Sequence, residues 1–205
     1  MKGIHLLFFA CIVLNSSYAQ NSWTLEKEKD GIKISNRHSP TSPFNDVRVE
    51  VDLPGTIDQL SVILLDVKKY TEWAYATRKS ALIKQLTPDK LIYYSEIEVP
   101  WPATDRYFYA EFELTKDQTG RSMQVVSASI SYDGPVPKDL VKVPFSKGSW
   151  TVTQLSNNTI HVDYILELNP GGSLPAWVLN LFSSKGPLET FENIKSKMVS
   201  LNPVP

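Results

Sequence analysis

The chain has 205 residues, of which 42% are hydrophobic and 21% charged, so it is long enough to bury a core and too apolar for a disordered chain. Lysine and arginine number 21 and aspartate and glutamate 22, which gives a formal net charge of −1. This balance excludes a general polyanion binder, because neutralising phosphates requires an excess of basic residues, and we expect no nucleic-acid partner. The single cysteine excludes a disulfide framework and a thiolate metal site.

The N-terminus has the pattern of a secretory signal peptide. Lys2 precedes the apolar run Ile4–Leu14, and Ser17-Tyr18-Ala19 places small residues before a cleavage point. The run is shorter than the ~20 apolar residues that span a bilayer, although an uncleaved anchor is the alternative. We therefore predict a signal peptide over 1–19, a single mature domain over 20–205, and export to a periplasm or secretion beyond it.

Most of the predicted mature chain alternates polar and apolar residues with a period of two, which is typical of half-buried β-strands. The same alternation places Val126, Ile130 and Tyr132 on an inner face. One apolar and one polar face per strand predict an antiparallel sheet that is covered on one side only. The predicted strands are Asp46–Leu53, Leu91–Val99, Tyr107–Leu114, Gln124–Tyr132, Lys147–Leu155 and Thr159–Leu168.

Helical periodicity is confined to two segments. Thr56 and Gln59 form a capping box at the start of the first segment. In the second, Ser173 is the predicted N-cap, and an apolar stripe runs to Met198 with an interruption at Gly186-Pro187. A curved antiparallel sheet that wraps around this long C-terminal helix would cover the apolar face of both elements, so the predicted fold class is α+β.

Short motifs are spread over almost the whole predicted mature chain. They are Trp23-Thr24-Leu25, Asp30–Ile34 with Arg37, Asp66–Trp73, Pro100–Arg106, Gly148-Ser149-Trp150 and Asn169–Trp177. In this order and spacing they resemble the START domain, the lipid-transfer family related to the steroidogenic acute regulatory protein. The segment 100–106 is similar to the family signature Pro-Trp-Pro-x-x-Asp-Arg. The resemblance implies a helix-grip fold of the START and Bet v 1 type with a closed lipid cavity.

The predicted inner faces are rich in aromatic residues, which either pack as a core or line a ligand cavity. Arg106 lies at the rim of the inner face, where it meets either an acidic partner or a lipid head group. Adjacent residues of a strand point to opposite faces, so Asp105 is not the expected partner. The candidate lipid-binding residues are Arg106, Phe108, Phe112, Tyr132, Trp150, Tyr164, Trp177, Leu181 and Phe182.

The segment Asp133–Ser146 contains three prolines, several apolar residues and the basic residues Lys138 and Lys142. Its position resembles that of the START-family loop over the cavity mouth. This composition suits a lid that makes transient contact with a membrane surface. An ordinary proline-stiffened connection between strands is the alternative.

Signals for catalysis are weak in the predicted mature chain. His38 and His161 lack the spacing of a zinc site, and Gly171-Gly172 lacks the Lys-Ser/Thr of a phosphate loop. We predict a monomeric, non-catalytic protein that binds a lipid or another hydrophobic small molecule without cofactor or metal, and carries or presents it. The alternatives are a helix-grip enzyme of the cyclase or hydrolase type that uses the same cavity, and a cavity-filled interaction or stress protein.

Overall fold

The computed structural model describes residues 22–201, so the predicted signal peptide lies outside the described residues. No helix within this range is long and apolar enough to cross a membrane. The strands are β1 (Thr24–Lys29), β2 (Ile32–Arg37), β3 (Asp46–Pro54), β4 (Thr77–Thr87), β5 (Lys90–Ile97), β6 (Arg106–Lys116), β7 (Ser122–Ile130), β8 (Val141–Lys142), β9 (Phe145–Ser156) and β10 (Thr159–Asn169). The helical segments are α1 (Ile57–Leu65), the 3₁₀ helix Val67–Glu72, α2 (Ala176–Asn180), the π-helical turn Leu181–Lys185 and α3 (Gly186–Leu201).

One curved sheet contains all the strands of this described range, in the order β1-β2-β3-β10-β9-β7-β6-β5-β4. Neighbours in this order are antiparallel, while the short β8 pairs in parallel with β6. On β3 the predicted inner face is confirmed, because Val47, Val49, Val51 and Leu53 are almost completely buried. The period of two therefore determines which face of this strand forms the core.

The inner face of the sheet packs against α3. Phe191, Ile194 and Met198 are fully buried and belong to the same hydrophobic core as the inner residues of β2 and β3. Their spacing of three and four residues places them on one stripe of the helix. The predicted helix-grip arrangement is therefore confirmed.

The predicted capping box at the start of α1 is confirmed. The Thr56 hydroxyl accepts a hydrogen bond from the Gln59 backbone N–H at 3.3 Å, and the Gln59 side chain accepts one from the Thr56 backbone N–H at 2.9 Å. The Gln154 side chain accepts a further hydrogen bond from the Ile57 backbone N–H at 3.1 Å. These bonds satisfy N–H groups that a helix start leaves free, and they fix α1 to the sheet.

The start of the C-terminal helical segment differs from the prediction. Ser173 is not the N-cap, because α2 begins at Ala176 and Pro175 occupies the capping position without a side-chain bond. The residue before a proline avoids helical conformation, so the helix cannot begin ahead of Pro175.

The predicted interruption at Gly186-Pro187 is confirmed and takes the form of the π-helical turn. Pro187 has no N–H for the α-helical ladder, and the wider turn accommodates its ring.

The predicted faces of β7 are reversed in the structure. Val125 is fully buried on the inner face, whereas Val126 is 41% exposed. Ser127 shares the inner face with Val125, and its hydroxyl lies 2.8 Å from the hydroxyl of Tyr93. A serine is tolerated on an inner face when it is hydrogen-bonded, which is why Ser127 does not mark the solvent face of this strand.

Replacing Thr56 with alanine removes the acceptor of the capping box. We expect Thr56→Ala to lower the free energy of unfolding by about 0.5–2 kcal/mol, measured by urea denaturation. The exposed Thr41, in the connection between β2 and β3, provides a matched control, because Thr41→Ala should change that free energy by less than about 0.5 kcal/mol. Equal stability of Thr56→Ala and the wild type would contradict the assigned role of the box.

Candidate functional site

A cavity of about 250 Å³ lies between the inner face of the sheet and the C-terminal helical segments. Its volume is close to the ~300 Å³ at which ligand pockets in proteins commonly begin. Most of its wall is aromatic or aliphatic, with a few hydroxyl groups and an arginine. Among the lining residues are Tyr70, Trp73, Tyr93, Ser95, Arg106, Phe108, Phe112, Ser127, Gly148, Trp150, Tyr164, Leu166, Phe182 and Phe191.

Strand β6 defines the long direction of the cavity. Arg106 and Phe112 both line the cavity, and a rise of ~3.3 Å per residue separates them by about 20 Å. The connections 98–105, 131–144 and 170–175 all lie at the Arg106 end of the sheet. We call this end the mouth, and the Phe112 end the floor.

Contacting aromatic rings form the wall near the floor. The ring centroids of Trp150 and Tyr164 are 4.6 Å apart, and those of Trp150 and Phe191 are 5.2 Å apart. Gly148 lies beside this group, where an added Cβ would be 3.1 Å from the Tyr164 hydroxyl oxygen. The glycine therefore leaves space that the Tyr164 ring and the cavity share.

Arg106 lies at the mouth and is only 4% exposed. Its Nη2 donates to the backbone oxygen of Gly171 at 3.1 Å, and its Nη1 donates to the backbone oxygen of Thr104. Its Nε has no hydrogen-bond partner within residues 22–201. Burial lowers the pKa of the Arg106 guanidinium, and the charge of Asp105 opposes this shift.

No acidic side chain forms an ion pair with Arg106 in the described part of the chain, so the prediction of an acidic partner is wrong there. Asp105 lies outside the cavity, where its carboxylate is 2.6 Å from Arg78 and accepts a hydrogen bond from the Val99 backbone N–H at 2.8 Å. Carbonyl oxygens hold Arg106 instead. These oxygens carry no formal charge, so Arg106 lies beside the cavity without an ion pair within the described residues.

Tyrosine hydroxyls provide polarity without charge at neutral pH. The Tyr93 hydroxyl is bonded to Ser127, and burial raises the pKa of Tyr93 to about 12, against a smaller opposing effect of that bond. The Tyr70 hydroxyl donates to the backbone oxygen of Leu64 at 2.6 Å. Burial also raises the pKa of Tyr70 and of Tyr164 above the ordinary tyrosine value.

Most of the predicted lipid-binding residues lie on the cavity wall. They are Arg106, Phe108, Phe112, Trp150, Tyr164 and Phe182. On β6 and β10 the regular alternation of polar and apolar residues was the signal that placed them inward. Their contact with a lipid stays a prediction.

Two predicted residues of the C-terminal segment lie outside the cavity lining. Trp177 is 47% exposed, because α2 begins late and turns Val178 inward instead. Leu181 is the first residue of the π-helical turn, whose longer repeat rotates the side chains relative to an α-helix. As a result Phe182, not Leu181, lines the cavity.

The segment 131–144 begins on the outer face of the sheet and ends over the mouth. The structure corrects the predicted inward position of Tyr132, which stacks on Tyr109 on the outer face with ring centroids 4.9 Å apart. The Tyr109 hydroxyl donates to the backbone oxygen of Pro135 at 3.0 Å, which fastens the segment. After β8, Val143 forms part of the cavity wall. This course is compatible with a lid, and contact with a membrane stays a prediction.

Sequence reasoning missed several cavity residues. Tyr93 pairs with Ala110 of β6 and faces inward. The alternation of β5 carries this signal, but the neighbouring Tyr94 obscures it because aromatic residues then occupy both faces. Tyr70 and Trp73 come from the 3₁₀ helix and the residue after it, where no strand period predicts direction.

The comparisons with known proteins identify the family. The sequence model of the START domain matches residues 13–201, so the chain belongs to the START domain family. A Pseudomonas aeruginosa protein described as uncharacterized is 29% identical over 174 residues, which cover 85% of each chain. Phosphatidylcholine transfer protein of Mus musculus is 25% identical over 168 residues, which cover 80% of this chain and 78% of that protein.

Solved structures share the fold. A STAR-related lipid transfer protein from Xanthomonas axonopodis matches with a TM-score of 0.77 and 28% identity, over 86% of this chain and 98% of that chain. Human STARD10 matches with a TM-score of 0.76 and 17% identity, over 90% of this chain and 76% of that chain. The helix-grip fold is thus shared across relatives of widely different identity.

The raised pKa of Tyr93 predicts a loss of stability at high pH. The pKa of Tyr93 is about 12 in the folded chain and 10.0 in the unfolded one, so the unfolded chain loses the Tyr93 proton first as the pH rises. The contribution of neutral Tyr93 to the free energy of unfolding is therefore complete below pH 10 and is lost as the pH rises towards 12. Two pKa units correspond to about 3 kcal/mol. Tyr93→Phe should therefore reduce the fall in the free energy of unfolding between pH 9 and 11, measured by urea denaturation at each pH. Identical slopes for the variant and the wild type would contradict this assignment.

Proposed function

We propose that the protein binds a lipid or another hydrophobic small molecule in this cavity and carries or presents it without catalysis. The observation that supports this most is the apolar cavity itself, which the surrounding aromatic side chains leave unfilled between the sheet and α3. Membership of the START domain family, with relatives named as lipid-transfer proteins, supports the same ligand class.

Energetics favour exchange over permanent capture. Burying one methylene group contributes about 0.8 kcal/mol, so a chain of ten such groups gains about 8 kcal/mol. The loss of ligand freedom and the ordering of side chains oppose much of this gain. The resulting affinity suits a carrier that must release its ligand.

The ionisable groups of the wall support binding over catalysis. Among the lining residues of the range 22–201 there is no aspartate, glutamate, histidine, lysine or cysteine. General acid–base and nucleophilic catalysis draw on these residue types at neutral pH. A helix-grip enzyme, the alternative function, would have to use the serine, threonine and tyrosine hydroxyls or the arginine of the wall instead.

The proposed carrier contacts membranes with the mouth of its cavity. Trp101 is 88% exposed in the connection 98–105, Val136 is 71% exposed in the segment 131–144, and Trp177 lies beside the third connection at this end. Large apolar side chains that protrude together at one end of a protein are suited to an apolar partner such as a bilayer.

The proposal places the protein outside the cytoplasm. The positive residue, the short apolar run and the small residues of the segment 1–19 support export. N-terminal sequencing of the protein from its native host tests this point. A mature chain that starts near Gln20 is expected, and an intact Met1 would contradict export by cleavage.

Filling the cavity tests the carrier function. Leu166 lines the cavity, and Ile165 is its neighbour on the opposite face of β10. Leu166→Trp should slow lipid transfer between vesicles by about tenfold, because excluding two methylene groups of the ligand costs about 1.6 kcal/mol. Ile165→Trp adds the same bulk outside the cavity and should transfer at the wild-type rate. Equal rates for the two variants would contradict binding in this cavity.

Removing the exposed tryptophan at the mouth tests the membrane contact. Trp101→Ser should slow transfer by about tenfold, because it removes apolar surface that the bilayer would bury, and should leave ligand affinity unchanged. Val62→Ser is the control, since Val62 is 65% exposed on α1, which follows the opposite end of the sheet. A transfer rate that Trp101→Ser leaves unchanged in vesicle assays would contradict docking through the mouth.

A further inference from the structure

The cation at the mouth has free hydrogen-bonding capacity. The Nη atoms of Arg106 bond to the carbonyls of Thr104 and Gly171, which fix the plane of the guanidinium group. The buried Nε is a third donor, and it has no partner in the described chain. Guanidinium groups bind anions through neighbouring N–H donors in a planar fork, so this Nε is suited to an oxygen that the ligand supplies.

A second free donor lines the same cavity. Trp73 is 5% exposed, and its indole Nε1 also lacks a hydrogen-bond partner within residues 22–201. Most buried polar groups in folded proteins are satisfied, so two free donors on one wall require an explanation. Both groups donate and neither accepts, which points to a ligand that brings acceptor oxygens.

The neighbouring acids do not neutralise Arg106. Asp105 and Glu96 are on the outer face, where both carboxylates bond to Arg78. Lys79 and the hydroxyl of Tyr94 complete the surroundings of Glu96. Arg106 therefore has no ion pair within the described residues, and it lies next to apolar walls, where a charge interacts more strongly with a counter-ion than it does in water.

The wall beyond Arg106 is suited to a hydrocarbon chain. Phe108 and Phe112 follow Arg106 on the inner face of β6, towards the floor. A molecule whose polar group lies at Arg106 would place its tail along these rings. The arrangement thus places a guanidinium group at the mouth and the rings of Phe108 and Phe112 further along the inner face of β6.

We propose that the ligand is an anionic amphiphile whose carboxylate or phosphate oxygen accepts a hydrogen bond from Arg106, with its hydrocarbon chain along Phe108 and Phe112. This inference rests on the proposed function, because it names the class of ligand that the carrier cavity takes. Arg106 then orients the ligand with its head group at the mouth.

A series of amphiphiles with one chain length tests the inference. Dodecanoate, dodecyl phosphate and dodecanol share a tail and differ in head-group charge. By isothermal titration calorimetry below their micellar concentrations, the wild type should bind at least one of the anions about tenfold or more tighter than dodecanol. The anion that binds more tightly identifies the carboxylate or the phosphate as the preferred source of the oxygen.

Substitutions at Arg106 assign the preference to this residue. Arg106→Gln should bind the anions and dodecanol with equal affinity, and Arg106→Lys, which keeps the charge, should retain part of the preference. Arg78→Gln is the matched control, because it removes the same charge from the outer side of Asp105 and should keep the full preference. Thermal unfolding establishes that each variant is folded, and Arg106→Lys decides the question if Arg106→Gln does not fold.

The outcomes separate this inference from the proposed function. Equal binding of the anions and dodecanol by the wild type would overturn the anionic head group and leave the carrier function intact. If folded Arg106→Gln and Arg106→Lys both prefer the anions as strongly as the wild type does, the role of Arg106 would be overturned. Failure of all three compounds to bind the wild type would contradict the proposed function itself.

Discussion

The packing of the curved sheet against α3 determines the remaining features of the structure. Beyond the floor, buried aliphatic residues such as Leu91 and Val152 pack in the core without lining the cavity. Around the cavity, aromatic rings enclose a space that they do not fill, and Gly148, near the floor, contributes no side chain to it. Protein interiors are otherwise packed as densely as organic crystals, so this hollow is a specific feature of the fold.

The polar groups of the cavity are held so that the wall stays rigid. The Tyr93–Ser127 pair joins β5 and β7 across the inner face, and the Tyr70 hydroxyl bonds to the end of α1. Arg106 connects the start of β6 to Gly171, a distant residue in the sequence. The mouth therefore consists of segments that are distant in the sequence and contact one another. The positive charge of Arg106 lies where a ligand would enter.

The sequence predicts those parts of the fold that depend on local periodicity. The inner faces of β3, β6 and β10, the capping box at Thr56 and the stripe of α3 all follow from residue spacing. The faces of β7 do not, because Ser127 lies on the inner face, where its hydroxyl bonds to that of Tyr93, a residue distant in the chain. Trp177 and Leu181 were misplaced because Pro175 delays the helix and the π-helical turn rotates it.

The surroundings of Arg106 also lay beyond sequence reasoning. Its partners are backbone carbonyls, which no side-chain pattern reveals, and the neighbouring acid Asp105 turns to Arg78 instead. The resemblance to the START domain predicted the family and the cavity, both of which rest on motifs spread along the chain. The prediction of export rests on the segment 1–19, which lies outside the described residues.

Native mass spectrometry of the mature chain, after incubation with vesicles of a natural lipid extract, tests the central claim most directly. If a lipid occupies the cavity, the spectrum should show a complex of one chain with one small amphiphile, and denaturation should release that molecule. A chain that keeps only its own mass at every lipid concentration would contradict the account.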